Sequence, residues 1–350
     1  MPRDTTKQIH EFILENIDVY SGAISAKISE KFGISRQAAN RHTQRLVQSG
    51  MLEASGNRRN RKYALKALRE EVFSFELKPG LAEDTVWVKD IKPIAAPFIG
   101  PNANDILNYG FSEIFNNAID HSEGSKVDVI ICVFSKKIRL TIRDNGTGIF
   151  DKIQKYFMLD DPRHALLELA KGKLTSDPER HTGEGIFFTC RMFDWFSIRS
   201  RFLSFIRYGD DDWLLEDREK ELEGTSVMME ILRNTERTSK EVFEKYAGEA
   251  NDYGFTRTHV PVSLALYEGE KLLSRSQAKR LLARVDRFRE VLLDFKDVKD
   301  IGAAFADEIF RVFARAHPSI KLLWMNSNPT IDKMIYRALA RETDQSVPNQ

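Results

Sequence analysis

Asn108-Tyr109-Gly110-Phe111-Ser112-Glu113-Ile114-Phe115-Asn116-Asn117-Ala118-Ile119-Asp120-His121 is the stretch on which the reading of this chain turns. Phe111, Ile114, Phe115, Ala118 and Ile119 recur at helical spacing and make one apolar face. Glu113 and Asn117 are four residues apart, so they project side by side from that helix. One is a carboxylate that can orient water or accept a proton. The other is an amide that can hold a metal ion.

Three more pieces follow in order. Val127 to Phe134 and Lys137 to Arg143 read as strands, and the second runs into Asp144-Asn145-Gly146-Thr147-Gly148-Ile149. An Asp at a strand end followed by spaced glycines sets a carboxylate beside a close backbone approach. His181-Thr182-Gly183-Glu184-Gly185-Ile186 leads into an apolar helix through Phe187, Phe188, Met192 and Phe193. A Gly-rich turn at a helix N-terminus presents backbone N–H groups to phosphate. Gly224-Thr225 then opens a strand from Ser226 to Leu232. Each piece alone also fits an ordinary tight turn; the signal is in their order and spacing.

Together these residues resemble the GHKL ATPases, the superfamily of histidine-kinase catalytic domains, anti-sigma serine kinases, gyrase, heat-shock chaperone ATPases and mismatch-repair ATPases. The resemblance covers residues 89–236 and implies a Bergerat-type α/β sandwich that binds ATP and Mg²⁺. It puts Glu113 and Asn117 on the N box, with Glu113 as the catalytic candidate and Asn117 as the Mg²⁺ ligand. Asp144, Gly146 and Gly148 match the first glycine box, whose Asp accepts a hydrogen bond from the adenine amino group. Gly183 and Gly185 match the second glycine box, and Thr225 the late Thr of the adenine pocket. Phe150 to Arg180 corresponds to the mobile ATP lid. Near its end Lys171, Lys173, Arg180 and His181 are candidates to meet phosphate oxygens, against the alternative of solvated lid charges. Glu at position 113 sets the chain apart from sensor histidine kinases, which usually carry Asn there, as does the want of a dimerisation helix with a phospho-histidine before the domain. No transducer domain follows, unlike the gyrase-like and mismatch-repair-like members.

Working outward, residues 1–66 form a basic head with 12 lysines and arginines against 6 aspartates and glutamates; the rest carries 41 against 46. A basic head on an acidic body points to a nucleic-acid partner. The head reads as three short helices, Thr5 to Ile17, Ser21 to Phe32 and one opened by Ser35, followed by strands Met51 to Ala54 and Arg61 to Leu65. This order resembles the winged helix-turn-helix DNA-binding family. The third helix exposes Arg36, Gln37, Asn40, Arg41, Gln44 and Arg45, side chains that reach base edges and phosphates. Arg58, Arg59 and Arg61 cluster on the wing, where they pair with phosphates or enter the minor groove. The alternative is a small helical domain used for protein contacts. Residues 67–88, with Pro79 and Gly80, read as a linker.

The third segment, residues 240–342, alternates strands and helices, which implies a small α/β layer fold. The expected elements are strands His259 to Tyr267, Glu290 to Phe295 and Lys321 to Met325, and helices Ser274 to Phe288, Phe305 to Phe313 and Ile331 to Leu339. The run Leu292-Leu293-Asp294-Phe295-Lys296-Asp297-Val298-Lys299-Asp300-Ile301-Gly302 resembles the STAS domain of anti-sigma-factor antagonists, and more closely the STAS-like domains of unknown function fused to GHKL modules. The antagonists carry a phosphorylatable Ser at the start of the helix after this strand. Here Gly302-Ala303-Ala304-Phe305 offers no hydroxyl. Residues 343–350 read as a flexible tail.

The expected class is therefore α/β (α+β) multidomain: a winged helix, a GHKL sandwich and a STAS-like domain. No apolar run reaches the roughly 18 residues that span a bilayer, and the N-terminus lacks a signal-peptide stretch, so a cytoplasmic protein without a membrane partner is expected. Cys132 and Cys190 lie in apolar segments and read as buried free thiols. No Cys/His cluster has zinc-site spacing. The functional expectation is an ATP- and DNA-binding regulator in which the GHKL and STAS-like modules, docked in cis or across a homodimer, control the head. The alternatives are an anti-sigma-type serine/threonine kinase with a protein substrate or sigma-factor-pathway partner, and a GHKL ATP hydrolase in a DNA-linked process such as phage defence.

Overall fold

A computed structural model describes residues 3–57, 60–174, 183–209, 211–217, 219–247, 254–266 and 271–344. The head comprises α1 (Arg3–Tyr20), α2 (Ile24–Phe32), α3 (Arg36–Gln48) and the hairpin β1 (Leu52–Ser55) and β2 (Lys62–Leu65). Ser35 caps α3 by accepting from the Ala38 amide at 3.2 Å, as an N-cap serine should. Gly33 closes α2 in the left-handed region at φ 63°. Ile9, Ile13, Ile17, Ile24, Ile28, Ala39 and Leu46 make the head's core.

The expected linker is a correction. Residues Arg69–Glu76 form β3, the edge strand of a seven-stranded antiparallel sheet. Glu71, Phe73 and Phe75 alternate with exposed residues, a period-two pattern that the surrounding charges and the later Pro79-Gly80 obscured. Two short helices, α4 (Glu83–Val86) and α5 (Lys92–Ala95), joined by a π turn, lead to α6 (Pro101–His121). The sheet order is β3-β4-β5-β9-β6-β7-β8, with β4 (Lys126–Val133), β5 (Lys137–Asp144), β6 (Trp195–Arg201), β7 (Leu203–Tyr208), β8 (Asp211–Glu216) and β9 (Leu222–Leu232). Helices α7 (Ile149–Tyr156), α8 (His164–Lys171) and α9 (Gly185–Met192) lie between β5 and β6 in the chain.

Strand β4 works on both faces. Val127, Val129, Ile131 and Val133 enter the core beneath α6, while Ile130, Cys132 and Phe134 pack into the core of the head. Lys137 Nζ ties the two units further, meeting Asp18 of α1 and Glu230 of β9 at 2.5 Å each. The head is thus seated on the outer face of the sheet.

The C-terminal layer begins with α10 (Ser239–Tyr246), then β10 (Arg257–Pro261), α11 (Arg275–Leu282), β11 (Glu290–Asp294), α12 (Ala303–Asp307), α13 (Ala314–Ala316), β12 (Lys321–Met325) and α14 (Pro329–Asp344). A π segment, Glu308–Phe313, fuses α12 and α13 into one helical run. Strands β10, β11 and β12 form a parallel sheet. The first strand stops at Pro261, short of the expected Tyr267, because a 3₁₀ turn follows over Val262–Ala265. Helix α11 stops at Leu282 rather than Phe288, where Arg284 turns left-handed at φ 59°.

Residue 240 is no packing boundary. Thr238 and Glu241 form a capping box, and Phe243 of α10 packs on Tyr109 of α6 and Phe188 of α9. The two cores are one cluster, joined through Phe187, Tyr246, Phe255 and Phe288. Helix α14 also continues to Asp344, into the expected tail. Among the described residues no helix is long and apolar enough to cross a membrane.

Candidate functional site

A cavity of about 320 Å³ opens between α6, the sheet and helices α7 to α9. Of the residues singled out from the sequence, Glu113, Asn117, Asp144, Gly148, Gly183, Gly185 and Thr225 line it. They arrive from four separate stretches of chain, each placed by its own local chemistry. Phe111, Ile114, Phe115 and Ala118 bury one face of α6, and this turns Glu113 and Asn117 toward the cavity. Asn117 makes no side-chain hydrogen bond to any described residue.

Asp144 ends β5 and is 7% exposed. Its Oδ1 accepts from the Gly146 amide at 2.9 Å and the Thr225 amide at 3.2 Å. Both bonds fall on one oxygen, and the residue lines the cavity. Burial pushes this carboxyl up from its ordinary range, and the Gly146, Thr225 and Asp144 amides, with Arg143 nearby, pull against that shift without cancelling it. Thr225 Oγ1 accepts from the Ile149 amide at 3.0 Å, which pins the first turn of α7 to β9. Gly148, at φ 94°, sits where an added Cβ would stand 2.5 Å from Ser200 Oγ, so both backbone and space demand glycine.

Gly185 opens α9 against α6. A Cβ there would stand 1.9 Å from Glu113 Oε2. The carboxylate is therefore seated at the positive end of α9, a favourable place for a negative charge. Tyr109, one turn before Glu113, is mostly buried; burial together with Glu113 and Glu184 pushes its phenol far above the usual range.

Other expected residues lie elsewhere. Lys173 is a correction: its Nζ donates to the Arg287 carbonyl at 3.1 Å and lies over the Phe255 and Phe288 rings, on the C-terminal layer rather than the cavity. Lys171 is fully buried beside Glu168 and likewise turned away. Lysines flanking a glycine look like solvated loop charges in a sequence; these two are held by the C-terminal layer, whose position no local pattern reveals. Arg180 and His181 lie outside the described residues, as do Arg58 and Arg59.

Sequence reasoning missed part of the lining. Lys152, Tyr156 and Phe157 of α7 and the following turn line the cavity, as do Leu169 and Leu174. Lys152 Nζ is held by the His121 carbonyl at 2.7 Å and Glu123 Oε1 at 2.9 Å. The i, i+3 and i+4 spacing of Ile149, Ile153, Lys152 and Tyr156 was the available signal.

On the head, Arg36, Gln37, Asn40, Arg41 and Arg45 are exposed on α3, and Arg61 is exposed beside β2. Gln44 Nε2 donates to the Tyr63 hydroxyl at 2.9 Å, and that hydroxyl donates to Asn40 Oδ1 at 3.3 Å. One tyrosine of the hairpin thus positions two polar side chains of α3.

In the parallel sheet Asp294 ends β11. His259 Nε2 lies 2.9 Å from Asp294 Oδ2, while Asn326 Nδ2 and the Lys296 amide each donate to Oδ1 at 2.9 Å. Burial alone would raise this carboxyl, but the hydrogen bonds prevail and hold it at about 2.

Residues 277–332 match the model of a family described as a STAS-like domain of unknown function. The match lies within the segment where that resemblance was expected, from α11 into α14. No curated protein matches the chain.

Proposed function

We propose that this chain is an ATP-binding regulator whose nucleotide occupies the cavity beneath α6 and whose basic head binds DNA. The observation that carries the first half is Asp144, a buried carboxylate that lines the cavity and spends Oδ1 on two backbone amides. That arrangement suits a ligand amino group, as in the GHKL resemblance, where adenine supplies it. Ile142, Ile149 and Val227 give the flat apolar walls that a base needs.

The residues also fit Mg²⁺, in one specific way. Among the described residues no group of three or more His, Cys, Asp or Glu could hold a metal by itself. Mg²⁺ commonly uses one or two protein oxygens plus phosphates and water, so Asn117 suffices if the ion arrives with the nucleotide. Bound there, Mg²⁺ would neutralise phosphate charge. Glu113 is one helical turn away and would accept a proton from water or from a hydroxyl.

Support for the second half is the exposed Arg36, Gln37, Asn40, Arg41 and Arg45 on one helix, backed by Arg61. The head is seated on β4, and β4 pairs with β5, which ends in Asp144; through these strands nucleotide occupancy would bear on DNA.

Glu113 favours a second reading, in which the chain transfers or hydrolyses the γ-phosphate. Incubation with γ-labelled ATP separates them: label on a protein means a kinase, free phosphate a hydrolase, neither a binding switch. Under the catalytic reading Glu113→Ala keeps ATP affinity within a few fold and cuts turnover by about 10²–10⁴. Asn117→Ala instead loses Mg²⁺-dependent binding. If the parent turns over no faster than Glu113→Ala, the catalytic reading fails.

A further inference from the structure

Helix α8 has two sides with different neighbours. Leu169 lines the cavity, whereas Glu168 and Lys171 meet the C-terminal layer, and every residue of the helix is buried. Lys171 Nζ donates to Glu168 Oε1 at 2.9 Å and to the Ala283 carbonyl, just past α11, at 2.8 Å. The next residue, Arg284, donates through Nε to Glu168 Oε2 at 3.0 Å, and its guanidinium lies 4.4 Å over the ring of Phe157. Phe157 itself lines the cavity. The helix backbone is tied as well: Thr258 Oγ1 of β10 donates to the Lys171 carbonyl at 2.6 Å.

A buried ammonium and a buried carboxylate are tolerable only while their partners are in place. Lys171 and Glu168 hold each other on α8, but the Ala283 carbonyl and the Arg284 guanidinium reach them only when the end of α11 is docked there. Partial withdrawal would leave this buried pair short of those further partners in the apolar core, so the helix favours two arrangements, fully seated or released into water.

The geometry points to a latch: the STAS-like layer seats α8 through Glu168, Lys171 and Arg284, and so governs how fast a nucleotide leaves the cavity. This rests on the nucleotide reading of the cavity given above. The seated helix completes the wall with Leu169 and sets Phe157 under Arg284, so a bound ligand favours the seated form. Linkage is reciprocal, and the bound nucleotide strengthens the docking of the layer in return. A protein that draws the layer off α8 would act as a nucleotide-release factor.

The test uses the full chain with Arg284→Gly. Glycine keeps the positive φ of 59° without strain, the guanidinium is removed, and the Lys171–Glu168 pair stays. A second variant, Glu168→Gln, keeps shape and removes the carboxylate charge. Two quantities are measured on folded protein: amide hydrogen exchange across residues 164–171 without nucleotide, and release of a fluorescent ATP analogue chased by excess ATP. The latch expects both to accelerate at least tenfold in each variant. Unchanged exchange in α8 overturns it. Faster exchange with unchanged release overturns the link to the cavity. If the parent binds no ATP analogue while exchange in α8 still accelerates, the docking contact stands and the nucleotide reading is what has failed.

Discussion

Replacing Asp144 by Asn separates the function of this carboxylate from its place in the fold. The side-chain Oδ1 of Asn can still accept from the Gly146 and Thr225 amides, so the local turn is kept. The change falls on the other atom, where an acceptor oxygen becomes an NH₂ donor facing the ligand. A hydrogen bond to a charged group contributes about 1.5–3 kcal/mol, and each 1.4 kcal/mol is about tenfold in affinity. ATP affinity should therefore fall roughly tenfold to a hundredfold, measured by titration calorimetry with Mg²⁺ present. GTP should bind the parent poorly. Stability should move the other way or not at all. Burial raises the Asp144 pKa, so folding favours the protonated form, and this group's contribution falls as pH rises from its unfolded value through its folded one. At neutral pH the substitution removes a desolvated charge, and the melting temperature should hold or rise. Equal ATP affinity in the folded variant would remove Asp144 from the site. Affinity lost together with a lower melting temperature would show that the turn, not the ligand bond, was damaged.

Replacing Arg58, Arg59 and Arg61 together should weaken DNA binding across all sequences and flatten its salt dependence, by about 0.9 in log–log slope per lost phosphate contact. Replacing Asn40 or Arg41 should change sequence preference instead; a head with no salt-dependent DNA binding would make it a protein-contact module. After incubation with ATP, mass spectrometry should find no phosphate on residues 302–305, because Ala303 opens α12 where the antagonists carry Ser; phosphate on Ser319, Ser327 or Thr330 would favour the kinase reading. The folded-state pKa of Asp294 lies at about 2, below its ordinary 3.8, so its stabilisation is present above pH 4 and lost as pH falls toward 2. Denaturant melts of Asp294→Asn should lose about 2 kcal/mol at pH 6 and little at pH 2. An equal loss at both would assign the effect to packing.

The lining of the candidate site was more legible in the sequence than its surroundings. Glu113, Asn117, Asp144 and Thr225 could be named because each is fixed by local chemistry: helical spacing, a strand end, glycine turns. Their convergence on one cavity follows from antiparallel pairing of β5 with β9, which brings Asp144 and Thr225 together. What could not be read was long-range docking. Lys171 and Lys173 look like lid charges until β10 and α11 are placed over α8. Strand β3 looked like a linker because an edge strand carries only half a hydrophobic pattern. The packing of Ile130, Cys132 and Phe134 under the head has the same origin: strand alternation gives two faces, and only the tertiary fold says what covers the second.

The central claim is that ATP with Mg²⁺ occupies the cavity beneath α6, with its adenine on Asp144. A crystal structure of the chain grown with a non-hydrolysable ATP analogue and Mg²⁺ tests it most directly. The expected result is the adenine amino group within hydrogen-bond distance of Asp144 Oδ2, with the metal ion on the Asn117 amide oxygen and Glu113 facing the terminal phosphate. An analogue bound elsewhere, or a cavity that stays empty at saturating analogue, would contradict it.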